Sequence, residues 1–456
     1  MMLFLEQLIA SLWNRLRGQA RGARHEERGS LALGLRVVDE QVTRRQVKLS
    51  SQERTRHIVV LGKTGSGKSF FLRYLAQQDI DADRGFLYFD LHGEDTPFLL
   101  QTINARERRE RRHLSGRVIL IDPADPIMSI GLNPLEEESP DFVRIAEVAE
   151  ILRRYWGLDH FGARTDELLR NALYVLSTNG LTLVELAPLL VDAAFRTACI
   201  LRVANPEVRQ YFEHRYDQVS EAMRATMREP ILNKVSAFTA DPKFRHIVGQ
   251  AHSTFSFREA MDEGWWIIVN LAKGRLGGQS LVLGSLIFTM LKNALFARTG
   301  RSLFTIYCDE VQNFVAQGSE IEVVLSEARK TGTGLISANQ FFDQCPADMR
   351  AALSSVGTQV FFQLASADAV QVAQALDGGK SLAEHLKNLP QRHFVLKTGS
   401  SPWTEVRVPR VETPKVDDTD LLTRVRYGRG RVRAHIERDI AERQSALRRN
   451  AEDELE

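Results

Sequence analysis

His57-Ile58-Val59-Val60-Leu61-Gly62-Lys63-Thr64-Gly65-Ser66-Gly67-Lys68-Ser69 is the stretch on which the reading of the whole chain turns. Its first five residues are a compact β-run, and Phe70 to Gln77 beyond it has the pattern of a helix. Gly62 to Ser69 satisfies G-x-x-x-x-G-K-[ST] in full, in the strand–turn–helix context that gives the motif its meaning. The glycines let the backbone curl so that successive N–H groups face phosphate oxygens at the positive end of the following helix. Gly62, Lys63, Thr64, Gly65, Ser66, Gly67, Lys68 and Ser69 are therefore the expected nucleotide-binding residues. Lys68 is expected to reach the β- and γ-phosphates of ATP, and Ser69 to set its hydroxyl on Mg²⁺.

Outward from this loop the chain alternates apolar runs with helical patterns. Gly85 to Asp90 (GFLYFD) and Arg117 to Asp122 (RVILID) read as buried strands. Trp265 to Asn270, Leu303 to Cys308, Gly334 to Ala338, Gln359 to Leu364 and His393 to Lys397 continue the series. Continuous apolar strands alternating with helices predict an α/β fold with a mostly parallel sheet covered on both faces. Residues 136–261 interrupt the alternation with helical periodicity alone and read as an all-α insertion. The α/β core is thus discontinuous, over 51–135 and 262–415.

The two ends differ from this body. Residues 1–50 read as a leader, in which Met2, Leu5, Leu8, Ile9 and Leu12 recur at helical spacing before an Arg-rich stretch. It suits a linker after a docked helix, a membrane-surface foothold or a docking helix for a partner. Residues 416–456 read as a basic helical tail with a weak stripe of Ile436, Ile440 and Leu447. That tail suits a solvated or partner-bound helix, or a nucleic-acid contact.

Composition limits the classes open to the chain. With 456 residues, 43% hydrophobic and 26% charged, it is neither disordered nor fibrous. Sixty Lys plus Arg against 58 Asp plus Glu leave a net charge of +2, so any nucleic-acid surface must come from local asymmetry. Cys199, Cys308 and Cys345 lie far apart without metal-ligand spacing, which fits a reducing cytoplasm and no zinc site. The apolar run from Leu281 to Leu291 stops at Lys292 and reads as a buried helix, and no stretch reaches the roughly 20 residues of a bilayer span. Met1 to Trp13 lacks the basic start and cleavage site of a signal peptide.

A phosphate-binding loop needs an acidic strand end to complete its metal site. Thr305-Ile306-Tyr307-Cys308-Asp309-Glu310 supplies one, with Asp309 on the Mg²⁺ side and Glu310 as the general base for water. Phosphoryl transfer to water is the implied reaction. Gly334-Leu335-Ile336-Ser337-Ala338-Asn339-Gln340 brings a second polar end to the same rim of a parallel sheet. Gln340 can contact the γ-phosphate or its attacking water; Asn339 is the alternative for that role, and either amide could instead cap a helix. Arg329, in Ser326-Glu327-Ala328-Arg329-Lys330-Thr331-Gly332, suits either a cation at a helix end or a finger for a neighbouring subunit's site.

The order of these motifs, with Asp90-Leu91-His92-Gly93-Glu94 and Leu132-Asn133-Pro134-Leu135 between them, resembles the HerA/FtsK superfamily of ring-forming ATPases. Within it, the pattern most resembles the conjugation branch of TraD-type coupling proteins and type IV secretion ATPases. The resemblance covers about residues 50–410. It implies a RecA-like P-loop NTPase core, a homo-hexamer around a DNA channel, and ATP with Mg²⁺ as cofactors. Lys68 and Ser69 match the family's nucleotide lysine and metal hydroxyl, Asp309 and Glu310 its acidic pair, and Gln340 its γ-phosphate-sensing glutamine. Arg329 matches the trans-acting arginine, and Asp90 an acidic position beside the site.

The implied partners are DNA, single- or double-stranded, further copies of the chain, and type IV secretion or relaxosome proteins or a membrane subunit. A protein- or pilus-handling secretion ATPase and a DNA-processing or defence ATPase working with a nuclease are the competing functions. Coupling proteins usually begin with transmembrane helices and HerA proteins with a β-barrel. Neither is expected here, so the chain reads as a nearly bare cytoplasmic motor, reaching a membrane, if at all, at its periphery.

Overall fold

In the strand Gly85–Asp90, Phe86 and Tyr88 face one side of the sheet, Leu87 and Phe89 the other, and all four are fully buried. The same period-two alternation runs through its neighbours, and it requires apolar cover on both faces. The computed structural model describes residues 30–136, 142–156, 162–313, 318–340, 351 and 355–455. The apolar and Arg-rich segment over residues 1–29 lies outside them.

Among the described residues the strands are β1 (Leu31–Val38), β2 (Gln41–Leu49), β3 (Ile58–Leu61), β4 (Gly85–Asp90), β5 (Val118–Ile121), β6 (Met128–Ser129), β7 (Trp266–Asn270), β8 (Phe304–Asp309), β9 (Thr333–Asn339), β10 (Thr358–Phe361), β11 (His393–Thr398), β12 (Thr404–Arg407) and β13 (Arg431–Val432). Eleven of them form one sheet in the order β2-β1-β12-β11-β10-β3-β9-β8-β4-β7-β5. The run from β10 to β5 is parallel, and the pairings from β2 to β10 are antiparallel. Seven of the eleven strands are thus mutually parallel, and an antiparallel flank of four, which the sequence does not announce, makes the sheet mixed. The architecture is a mixed α/β fold with a central sheet and helical insertions, of the kind seen in P-loop NTPases.

Helices Lys68–Asp81 and Thr96–Glu110 cover one face, burying Phe71, Leu72, Leu75, Phe98, Leu99 and Ile103. The other face is closed by helix Gln279–Phe296 together with the helices between residues 142 and 262. Gln279–Phe296 is apolar and long enough to cross a membrane by composition, yet two-thirds of it is buried inside the fold.

Two stretches depart from the sequence reading. Residues 31–49, assigned to the leader, form the hairpin β1–β2 at one edge of the sheet. Leu31, Leu33 and Val37 enter the core, and β1 pairs with β12. The tail is not a free basic helix either. Helix Thr419–Arg429 packs Leu421 and Val425 onto the core, β13 pairs with β6, and helix Arg433–Leu455 seats Ile436, Ile440 and Leu447 among the insertion's residues. Most of the tail's arginines are engaged within the chain. Arg424 pairs with Glu107, Arg426 with Asp125, Arg443 with Glu185 and Arg448 with Asp192, while Arg429 lies 3.7 Å above the Trp265 ring.

Candidate nucleotide-hydrolysis site

The C-terminal ends of parallel strands gather on one rim, where open α/β sheets place their ligands. Leu61, the last residue of β3, is paired with Asn339 at the end of β9, and Ala338 is paired with Asp309 at the end of β8. Three strand ends, two of them polar, thus meet beside the loop 62–69 because the strands are in register. The loop itself is held by its neighbours: Gly62 N–H donates to the Asn339 carbonyl at 3.3 Å and Lys63 N–H to the Gln363 carbonyl at 2.8 Å.

Gly67 opens helix Lys68–Asp81 at a φ of +115°, a conformation that suits a residue without Cβ. A Cβ there would also meet the Arg392 backbone at 3.3 Å. Lys68, buried, donates from Nζ to the Gly62 and Lys63 carbonyls at 2.6 and 3.1 Å. Burial lowers its pKa, while the carboxylates of Asp309 and Glu310 oppose that shift. Ser69 Oγ donates to Asp309 Oδ2 at 3.4 Å. Burial pushes the Asp309 carboxyl up to about 6, with Lys68 pulling it down and Glu310 pushing it further up. A hydroxyl and a carboxylate are hard oxygen donors, which fit Mg²⁺ completed by phosphate oxygens.

Glu310 follows β8 at a φ of +54°, a sparsely populated conformation for a side chain of this kind, and such outliers concentrate at functional sites. Its N–H donates to the Ala338 carbonyl at 2.6 Å. One carboxylate oxygen accepts from Gln340 Nε2 at 2.8 Å, the other from Asn313 Nδ2 at 3.1 Å. Gln340 Oε1 in turn accepts from Thr64 Oγ1 at 3.1 Å. A continuous chain of hydrogen bonds therefore runs from the loop through Gln340 to Glu310. Asn339 is turned elsewhere: it is buried and donates to Gln312 Oε1 at 2.5 Å.

Asp90, at the end of β4, stands beside Asp309 on the same rim, since β4 pairs with β8 one residue earlier at Phe89 and Cys308. It is buried, and its oxygens accept from Gly93, Asp95 and Thr96 N–H at 2.8, 3.0 and 2.7 Å, fastening the start of helix Thr96–Glu110. The structure does not bring every sequence-predicted residue here. Arg329 lies in the turn Ala328–Thr331 before β9, at the N-terminal strand ends and so on the opposite rim of the sheet from the loop. It is exposed, and no ion pair holds it among the described residues. Sequence reasoning missed Gln363, Asn313, Gln391 and Arg392, which touch the loop or its acidic partner from segments without any motif. Among the described residues no group of three metal-ligating side chains exists.

Loop, metal-side donors and a polar strand end on one rim of an α/β sheet define a protein of P-loop NTPase type. Residues 36–280, more than half of the chain, match the family described as Helicase HerA, central domain, and the protein belongs to that family. Membership implies NTP hydrolysis. Among solved structures, the chain is similar in fold to the bacterial conjugative coupling protein TrwB, with 15% identity over 84% of this chain and 91% of that one and a TM-score of 0.55. TrwB in complex with ADP and Mg²⁺ gives 16% identity, 85% and 97% coverage and a TM-score of 0.56. VirB4 of Thermoanaerobacter pseudethanolicus gives 14%, 85% and 98%, and 0.55. No functionally curated protein matches the chain in sequence.

Proposed function

We propose that this protein is an ATP-hydrolysing motor with a RecA-like core, which assembles as a hexamer and moves DNA in conjugative transfer. The observation that carries the reading is the hydrogen-bond chain Thr64–Gln340–Glu310 beside Lys68, Ser69 and Asp309. It provides, on one rim, a cation for the phosphates, oxygen donors for Mg²⁺ and a positioned carboxylate with an amide that contacts it. When bound, Mg²⁺ screens the charge on the phosphates. In this reading Glu310 takes a proton from water, whose oxygen attacks the γ-phosphorus while the bond to the ADP oxygen breaks. Gln340, bonded to Glu310, is placed to register the loss of the γ-phosphate and pass it to the segment beyond β9. The family's helicase description and the shared fold with a conjugative coupling protein support DNA as the track.

ATP turnover by the purified chain, measured without DNA, with single strands and with duplex, tests this reading. Lys68→Ala serves as the blank, because losing a charge-assisted phosphate contact abolishes hydrolysis. Stimulation by either DNA form is the expected result. Lys68-dependent turnover indifferent to both would overturn the DNA track.

A further inference from the structure

Arg392 enters the site from a segment that carries no motif. It precedes β11 and adopts a φ of +68°. Its peptide is held on both sides, for its N–H donates to the Ser66 carbonyl at 3.0 Å and its carbonyl accepts from Val408 N–H at 2.9 Å. Next to it, Gln391 Nε2 donates to the Gly65 carbonyl at 3.2 Å. The side chain then runs past Gly67, where a Cβ would lie 3.5 Å from Arg392 Cγ. The guanidinium ends 5.8 Å from the centroid of Phe70, in the first turn of the loop's helix. It is half-buried, and no carboxylate pairs with it among the described residues. A left-handed arginine clamped at both peptide groups is costly to hold, and such outliers are retained where surrounding structure and function demand them.

We infer that Arg392 is a nucleotide-binding residue acting within its own chain, contacting the part of the nucleotide that ATP and ADP share. This inference rests on the nucleotide site proposed above. The reasoning is positional. Lys68, Gln340 and Glu310 occupy the β8–β9 side of the loop, and Arg392 occupies the opposite flank, over Gly67 and Phe70. A cation there meets the nucleotide away from the γ-phosphate, so its contribution is equal before and after hydrolysis. Binding of that kind is uniform, and its loss falls on KM.

Arg392→Gly isolates the side chain, because glycine accepts the positive φ and keeps both backbone hydrogen bonds. The full chain is titrated calorimetrically with ADP·Mg²⁺ and with a non-hydrolysable ATP analogue, alongside Arg392→Lys. About a tenfold weakening for both nucleotides is expected, the size of one partly exposed charge-assisted hydrogen bond. Arg392→Lys should recover part of it, and KM for ATP should rise by the same factor. Undiminished affinity for both nucleotides in Arg392→Gly would overturn the role, as would a loss confined to the triphosphate. A wild-type chain that binds neither nucleotide would instead overturn the nucleotide site itself, and this role with it.

Discussion

His57, immediately before β3, shows how much one buried side chain can decide. Its Nε2 donates to the Leu325 carbonyl at 2.8 Å and its Nδ1 accepts from Leu335 N–H at 3.0 Å, so the ring is the neutral imidazole. Burial, with the Arg329 charge adding to it against the Leu325 hydrogen bond, brings its pKa down from 6.5 to about 4. A depressed pKa means that the unfolded chain takes up the proton first as pH falls. The stability His57 supports is therefore whole above pH 6.5 and is lost as pH falls through 4, by about 3 kcal/mol in all. His57→Asn offers a donor and an acceptor, tolerates the φ of +67° and does not titrate. Between pH 6.5 and 4 the denaturation midpoint of the wild type should fall more steeply than that of the variant; parallel curves would remove His57 from the acid response. The positions of the candidate site residues are largely legible, because Gly62 to Ser69, Asp309, Glu310 and Gln340 stand at strand ends that sequence locates. Those of Arg392 and Asn313 are not, since both reach the site through contacts that no spacing announces.

Among the elements, the same division holds. The strands from β3 to β11 that bury both faces are continuous apolar runs, and their positions can be read within a residue or two, apart from the overlong end of β10. The hairpin β1–β2 could not be read. β2 is exposed along most of its length and carries Arg44, Arg45 and Lys48, so its alternation is weak, and charge on an edge strand guards against pairing with other chains. Its neighbour β1 is completed by β12, more than 360 residues further along. Gly34 marks the contact: a Cβ there would lie 2.5 Å from the Arg407 carbonyl oxygen and 2.8 Å from Val406 Cγ1. Backbone cannot yield as a flexible side chain does, so Gly34→Ala should destabilise the protein by about 1–3 kcal/mol, read from the urea midpoint. Gly116→Ala, where a Cβ meets nothing within 4 Å, is the matched control. Equal midpoints for the two variants would show that β1 is not packed as described. The tail follows the same logic, for its stripe of Ile436, Ile440 and Leu447 announces a helix but not the surface that receives it.

For the whole molecule, the question is why a chain with a nearly complete site carries Arg329 so far from it. β9 runs from Thr333, just after the Arg329 turn, to Asn339, six steps or about 20 Å at roughly 3.3 Å per residue. An arginine side chain cannot cross that distance, so Arg329 has no route to the loop of its own chain. A head-to-tail ring resolves this geometry, since a heterologous interface sets one edge of each subunit against a different edge of the next. The role we propose for Arg329 is therefore in trans: in the proposed hexamer its exposed guanidinium would reach the γ-phosphate at a neighbour's Lys68 and stabilise transition-state charge there. The consequence is a complementation that no intrachain role can produce. Arg329→Ala and Lys68→Ala chains should each be inactive alone. Mixed, they restore every interface at which an Arg329→Ala chain supplies the loop and a Lys68→Ala chain supplies the arginine, about a quarter of them in an equal mixture of randomly assembled rings. Turnover should therefore rise and fall with the mixing ratio, highest at equal proportions and near a quarter of the wild-type rate if interfaces fire independently. A flat, inactive response at every ratio, with ring assembly confirmed by sedimentation, would confine Arg329 to its own subunit.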